Sequence, residues 1–299
     1  MRKQKERNSI VIIVAYVVLG IISFMCIAPV VLMAVASFTD NDVLNLYGYT
    51  YFPQKWSLEA YEFLIKQGTV ISKSFLNSIL VTFMGTALGI MVTVLLAYTI
   101  SRKELVGRKL IMLFVFFTML FNGGMVPTYL MYTQIFHIKN TMWALLFPHL
   151  LVNGFNVLLV RTFFNENIPE VLLEAARIDG AGEISIFRNV VLPISKPILA
   201  TIGLLVGVGY WNDWYNGLLF VTDVNYYTLQ NILNKIMTDL QFLSQNMSAT
   251  SDVNSIIANV PSGTVRMAMA FIGALPVIIV FPFFQKYFTK GITVGAVKE

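Results

Sequence analysis

Six apolar stretches, each long enough to cross a membrane, decide what this chain can become: Ile10 to Phe38, Phe75 to Ile100, Leu110 to Gln134, Thr141 to Phe164, Ile198 to Val221 and Thr264 to Phe284. A helix needs about 20 apolar residues to cross the hydrocarbon core, where every backbone polar group must be satisfied internally. Composition agrees: 57% hydrophobic against 12% charged residues, with a mean hydropathy of +0.70, is a membrane balance rather than that of a soluble domain with a large core. The expectation is an all-α membrane protein with six transmembrane helices.

The basic residues orient those helices. With both termini in the cytoplasm, the inner side collects Arg2, Lys3, Lys5 and Arg7, then Arg102, Lys103, Arg108 and Lys109, then Arg161, Arg177, Arg188 and Lys196, and finally Lys286, Lys290 and Lys298. Only Lys55, Lys66, Lys73, Lys139, Lys235 and Arg266 remain outside, a strong positive-inside bias. The net charge of +5 therefore does not point to nucleic acid, because the cations sit at span ends and not on one face. Cys26 is the single cysteine and lies in an apolar run, so no intrachain disulfide forms. A cleaved leader is the competing reading of the basic start, since Ala34-Val35-Ala36 resembles a cleavage site. The apolar run is far longer than the roughly 7–15 residues of a signal core, so an uncleaved span bent near Pro29 is expected.

Between the spans, 39–74 is rich in aromatics and mixed in charge, an extracytoplasmic loop with a short helix over Ser57 to Lys66 capped by Ser57. In the second span Gly85 and Gly89 lie on one face, where another helix can approach closely. The third span is interrupted at Asn122-Gly123-Gly124 and at Pro127. Such breaks occur only against protein or a water-lined cavity, so Asn122 marks either a translocation path or a packed kink. The fourth span holds Pro148, His149, Asn153 and Asn156, polar groups that must find partners or line a path. His149 reads as a packing histidine, because neither it nor His137 joins a Cys, Asp or Glu cluster of metal-binding spacing. Late in the fifth span come Tyr210, Trp211, Asn212, Asp213, Trp214, Tyr215 and Asn216. Flat rings stack on sugar faces while amides and carboxylates bond hydroxyls, so Tyr210, Trp211, Asn212, Asp213, Trp214 and Asn216 are candidate path residues. An interfacial aromatic belt explains the rings as well, but not an embedded Asp213. The polar loop 222–263 is expected to carry a half-apolar helix over Thr228 to Met247.

The most informative polar segment joins spans four and five: Glu174 to Pro197, EAARIDGAGEISIFRNVVLPISKP. Pro169 suits a first helical turn, Glu170 and Glu174 favour its positive end, and Gly180 suits a left-handed cap. Leu172, Ala175, Ala176 and Asp179 fall on one face, where small alanines let a partner approach the backbone. Glu174 and Arg177, one turn apart, can pair with each other or with a partner. A second helix over Glu183 to Val191 follows, ended by Pro193.

Glu-Ala-Ala at 174–176, Asp179-Gly180, and Val191-Leu192-Pro193 about a dozen residues later resemble the cytoplasmic EAA loop of binding-protein-dependent ABC importer permeases, a similarity that extends over about residues 70 to 298. The resemblance implies a type I importer permease fold with both termini cytoplasmic. It also implies an ATPase-coupling role for Glu174, Ala175, Ala176, Arg177, Asp179, Gly180 and Pro193. The tail from Gln285 to Lys298 resembles those of carbohydrate-class permeases of the maltose-transporter kind, which implies that Gly295 and Lys298 contact the ATPase subunits, with a frayed tail as the alternative. The implied partners are a second homologous permease subunit, two ATPase subunits, an extracytoplasmic solute-binding protein and a carbohydrate substrate. ATP and magnesium would reside in the ATPase subunits and none in this chain, which lacks a Gly-x-x-x-x-Gly-Lys-Ser/Thr loop as it lacks a HExxH, a Cys/His cluster or a Gly-x-Ser-x-Gly elbow.

The expected organisation is a cytoplasmic tail 1–9, a first helix 10–38, the loop 39–74, an importer domain 75–284 containing the EAA loop 165–197 and the outer loop 222–263, and a cytoplasmic tail 285–299. The function implied is a non-catalytic permease subunit of the prokaryotic plasma membrane. An importer of a non-sugar solute is the alternative. An autonomous secondary transporter is the rival from another class, and it predicts mid-membrane ion pairs or inverted repeats that the sequence does not display.

Overall fold

Among the described residues of the computed structural model, 2–66, 68–245 and 262–296, every regular element is helical, and the only extended pairing is the isolated bridge between Thr39 and Trp56. Helices α1 (Arg2–Ser37), α2 (Asn41–Tyr47), α3 (Glu59–Lys66) and α4 (Gly68–Ser101) come first. Then follow α5 (Arg108–Leu120), α6 (Met125–Leu130), α7 (Trp143–Leu146), α8 (Gly154–Asn167), α9 (Glu170–Ile178), α10 (Glu183–Ile186), α11 (Leu192–Ile194) and α12 (Lys196–Trp211). Helices α13 (Tyr215–Phe220), α14 (Leu229–Gln245) and α15 (Ser262–Ala296) complete the order.

Among the described residues, three helices are long and apolar enough to span a membrane by themselves, Val11–Ser37, Gly68–Ser101 and Gly263–Gln285. Five are counted if each bent pair is one span: Arg108–Leu120 with Met125–Ile135, bent by 115°, and Glu183–Ile194 with Lys196–Trp211, bent by 81°. The stretch from Thr141 to Phe164, expected as one helix, is two helices separated by residues 147–153. Pro148 supplies no N–H, His149 adopts φ +63, and Asn153 caps α8 by accepting from Phe155 N and Asn156 N. Other boundaries differ as well. The second span begins at Gly68, seven residues before Phe75. The third breaks at 121–124 and not at Pro127, which sits in the first turn of α6, where a missing N–H costs nothing. Helix α1 runs through Pro29 without interruption. Residues 246–261, most of the last outer loop, lie outside the described residues.

The chain divides into two units, Met1–Ile71 with Lys235–Leu275, and Ser72–Asn234 with Pro276–Glu299. In the first, the end of α1 is fixed to α3: Ser37 and Tyr61 share a 2.7 Å hydrogen bond and Phe38 stacks on Tyr61 at 4.7 Å. Asp40 caps α2 and pairs with Lys55 at 2.6 Å, and that ammonium holds the Asp40 carboxyl below the usual range. Ser57 accepts from Glu59 N as expected of a cap.

In the second unit, α4 and α12 lie against each other antiparallel, and glycines make the approach possible. A Cβ on Gly85 would collide with the ring of Tyr210, one on Gly89 would stand 3.1 Å from Val206, and one on Gly207 3.3 Å from the hydroxyl of Thr86. Small residues at a membrane helix interface let backbones come close, and here the partner of the Gly85 face is the fifth span. Around this contact sits the unit's core, with Ile100, Leu145, Val157, Phe164, Ile202 and Phe220 all buried.

Candidate coupling elbow and transport path

Helix α9 starts just after Pro169, which is extended and lies outside the first turn where it was expected, and ends in a complete left-handed cap. Gly180 has φ +80, its N–H donates to Arg177 O at 3.0 Å, and Ala181 N donates to Ala176 O at 2.9 Å. These are the paired bonds of a Schellman turn, which satisfy helix-end carbonyls and which a side chain at Gly180 would strain. The chain then turns into α10, a π-helical turn Phe187–Val191 and α11. Pro193 was expected to end this second helix; instead it sits inside α11, and the chain breaks two residues later at Ser195, whose hydroxyl donates back to Val191 O at 2.6 Å. The wide turn preceding Pro193 absorbs the ring and the missing N–H.

On α9 only Leu173 is buried, while Leu172, Glu174, Ala175 and Asp179 are exposed and Ala176 is half-buried. Val171, Ile178 and Ile184 are 72%, 86% and 84% exposed, beside the charged Glu170, Glu174, Asp179 and Glu183. The pairing of Glu174 with Arg177 does not occur. Arg177 reaches Glu104 at 3.2 Å and Glu183 at 3.0 Å, because the glycine turn folds Glu183 back toward it, and Glu174 has no ion pair among the described residues. These carboxylates raise the Arg177 pKa, Glu183 foremost, while Glu104 is lowered by its own backbone N–H and then by Arg177. Lys103 pairs with Glu170 at 2.8 Å. Glu104 was not singled out in the sequence, and Glu170 and Glu183 were read there only as helix-start residues and not as ion-pair partners; the signal for all three was acidic residues near basic ones on an inner loop. A polar cavity of about 510 Å³ lies between the 101–108 loop, the end of α8 and α9, lined among others by Arg102, Arg108, Arg161 and Glu166.

The aromatic and amide cluster is distributed differently. Tyr210 is 2% exposed and donates its hydroxyl to Leu146 O at 2.7 Å. Asn216 is 1% exposed and donates to Pro148 O at 2.9 Å, leaving its own carbonyl oxygen buried without a partner. Trp211 is buried edge-on to Phe75 at 5.9 Å. Asp213 accepts from Asn216 N at 3.1 Å, which starts α13 after the break. Asn212 and Trp214 are exposed, and the Trp214 carbonyl accepts from Asn231 at 2.8 Å. Asn122 is exposed and accepts from Gly124 N at 2.9 Å, holding the break between α5 and α6. His149 lies edge-on to Tyr215 at 6.1 Å. An apolar cavity of about 380 Å³ between α4, α12 and α15 includes Trp211 alone of these candidates. Gly295 lies in α15, and Lys298 lies outside the described residues.

The structure thus presents a capped, exposed elbow that leads into a bent apolar helix pair. Residues 85–294 match the family described as binding-protein-dependent transport system inner membrane component, and the chain belongs to that family. It is therefore a multi-pass protein of the plasma membrane, a permease subunit rather than a catalytic one. It is 35% identical to the polygalacturonan/rhamnogalacturonan transport system permease protein YtcP of Bacillus subtilis (strain 168), covering 98% of this chain and 99% of that protein. With the trehalose/maltose transport system permease protein MalG of Thermococcus litoralis it shares 29% identity, covering 99% of each. The solved structure of a bacterial ABC transporter involved in the import of the acidic polysaccharide alginate contains a chain with 28% identity and a TM-score of 0.78, covering 94% of this chain and 98% of that one.

Proposed function

We propose that this chain is one of two homologous permease subunits of an ATP-driven importer, and that its solute is a carbohydrate of several sugar units. The observation that carries the coupling half of this reading is the elbow. Four large apolar side chains, Val171, Leu172, Ile178 and Ile184, stand exposed around a rigid glycine turn, a surface incomplete without a protein partner. The carbohydrate half is supported by relatives named for transport of polygalacturonan, maltose and alginate.

In this reading the chain crosses the membrane six times with both ends inside, the split stretch 141–164 serving as the fourth crossing. Two ATPase subunits, which hold ATP and magnesium, seat the face bearing Glu174, Ala175, Ala176 and Asp179. Arg177 and Gly180 keep that face rigid, and Pro193 shapes the second arm. Gly295 and Lys298 reach the same subunits. A solute-binding protein delivers sugar on the other side, and ATPase closure moves the elbow, so that the spans rock between inward-open and outward-open states. The exposed Asn122, Asn212 and Trp214, with Asp213 beside them, are the path groups nearest open space. Tyr210, Trp211 and Asn216 shape the path from behind.

The test is purification of the tagged chain, followed by uptake into proteoliposomes with the binding protein and ATP. An ATPase subunit is expected to copurify and to be lost on Glu174→Arg, with oligosaccharide uptake dependent on ATP. An active, ATPase-free transporter, or labelling that finds Ile178 on the outer face of the cell, overturns the reading.

A further inference from the structure

Movement imposed on the elbow leaves it by few routes. The backbone leads forward into α12 through the 81° bend and backward into α8 through the extended residues Ile168 and Pro169. No backbone route leads to α4. Yet the last turns of α4 are joined to the elbow directly: the Tyr98 hydroxyl donates to one carboxylate oxygen of Glu183 at 2.7 Å. Arg177 donates to the other oxygen at 3.0 Å, and Glu104 holds Arg177 from the opposite side. The phenol is fixed on every face, tilted against Phe187 at 4.9 Å, edge-on to Phe164 at 6.4 Å, with the Arg102 guanidinium 4.6 Å above the ring. Tyr98 is itself buried, and its helix is interlocked with α12 through Gly85 and Tyr210.

We propose that Tyr98 and Glu183 form the joint that carries elbow movement into α4, so that α4 and α12 swing as one body, with Arg177 bracing the carboxylate. The proposal rests on the importer reading. A carboxylate held between a phenol and a guanidinium has charge-assisted bonds on both sides, which are short and directional. Displacing α10 therefore pulls the cytoplasmic end of α4 with it. Without the joint, the elbow drags α12 through the bend at Ser195 while α4 lags, and the Gly85 interface takes up the mismatch. Both residues are positioning residues, since neither touches solute or nucleotide.

The test uses the whole complex in proteoliposomes, with binding-protein-stimulated ATP hydrolysis and solute uptake measured together. Tyr98→Phe removes the hydroxyl and keeps the ring in its packing. Stimulated hydrolysis is expected to persist while solute imported per ATP falls about fivefold, the size of effect that loss of one coupling contact produces. Glu183→Leu keeps similar bulk, removes the acceptor of that bond and carries the same expectation by itself, so failure of one variant to assemble leaves the other decisive. The double variant is expected to be no worse than Glu183→Leu alone, because that substitution already removes the bond that Tyr98→Phe deletes. A wild-type solute-to-ATP ratio in either assembled variant, or a double loss equal to the product of the singles, overturns the joint while the importer reading stands. A wild-type complex whose hydrolysis ignores the loaded binding protein sinks both.

Discussion

The elbow of residues 170–194 and the cluster of residues 210–216 were both singled out by their residue types, and they use those residues in opposite ways. At the elbow, large aliphatic side chains face outward while several of the ionic residues pair internally: Arg177 is held between Glu104 and Glu183, and Lys103 holds Glu170. In the cluster the residues that look most like ligands for sugar, Tyr210 and Asn216, are buried and spend their donors on the carbonyls of Leu146 and Pro148. Those carbonyls lack helical partners because the chain between α7 and α8 is not helical, and Pro148 O also accepts from Leu150 N at 2.7 Å. A side chain's chemistry therefore does not announce its job. An apolar surface without an internal partner marks a place for another protein, whereas a polar group with one is first of all scaffold.

Substitutions can break this contrast, and the largest effect is expected on the cluster side. Gly85→Leu drives a side chain into the ring of Tyr210, and overpacking of this kind costs about 1–3 kcal/mol or more. A sharp drop in the yield of folded protein in detergent is expected, and wild-type yield and melting temperature would show that α4 and α12 are not in contact there. Tyr210→Phe is somewhat milder, orphaning the buried Leu146 carbonyl at a cost of about 1–3 kcal/mol. Its melting temperature should fall with the sugar concentration for half-maximal uptake unchanged. A shift in that concentration without loss of stability would make Tyr210 a sugar contact after all.

The elbow answers differently. Ile178→Asp, at a position 86% exposed, should change stability by less than about 0.5 kcal/mol. Retention of an ATPase subunit on a column should drop at least about tenfold, equivalent to 1.4 kcal/mol. Equal retention would place the docking surface elsewhere. The smallest effect is on pH dependence. Glu104 has a lowered pKa in the folded protein, so its contribution is complete above the ordinary glutamate value of about 4.3 and is lost as pH falls through the lower folded value. A nitroxide at residue 181 should stay immobile from pH 7 to pH 5 and loosen below about pH 4. A nitroxide at residue 218, held through the uncharged bonds of Tyr210 and Asn216, should lag behind it. Loosening in the reverse order would contradict the division between ionic elbow and neutral cluster.

What the sequence determined by itself was whatever depends on neighbours along the chain. Apolar run length gave the spans 10–38 and 264–284 to within a few residues, apart from the extension of the first helix back to Arg2 and of the last to Ala296, because helix formation in lipid is enforced by backbone hydrogen bonding alone. Pro169 and Gly180 bracketed α9 to within a residue, Pro169 standing just before the first turn and Gly180 closing the last, since a helix end depends on residues within one turn. The close-approach face of Gly85 and Gly89 was legible too, although its partner was not. Tertiary structure alone decided that α12 fills that face, that Arg177 turns from Glu174 to Glu104 and Glu183, and that Pro148 and His149 open the fourth apolar stretch to supply acceptors for Tyr210 and Asn216. Each of these outcomes pairs groups distant in sequence or reorients them across a turn. Local pattern constrains a helix, but the competition among several possible partners for one donor is settled only when the chain has brought them all within 3 Å.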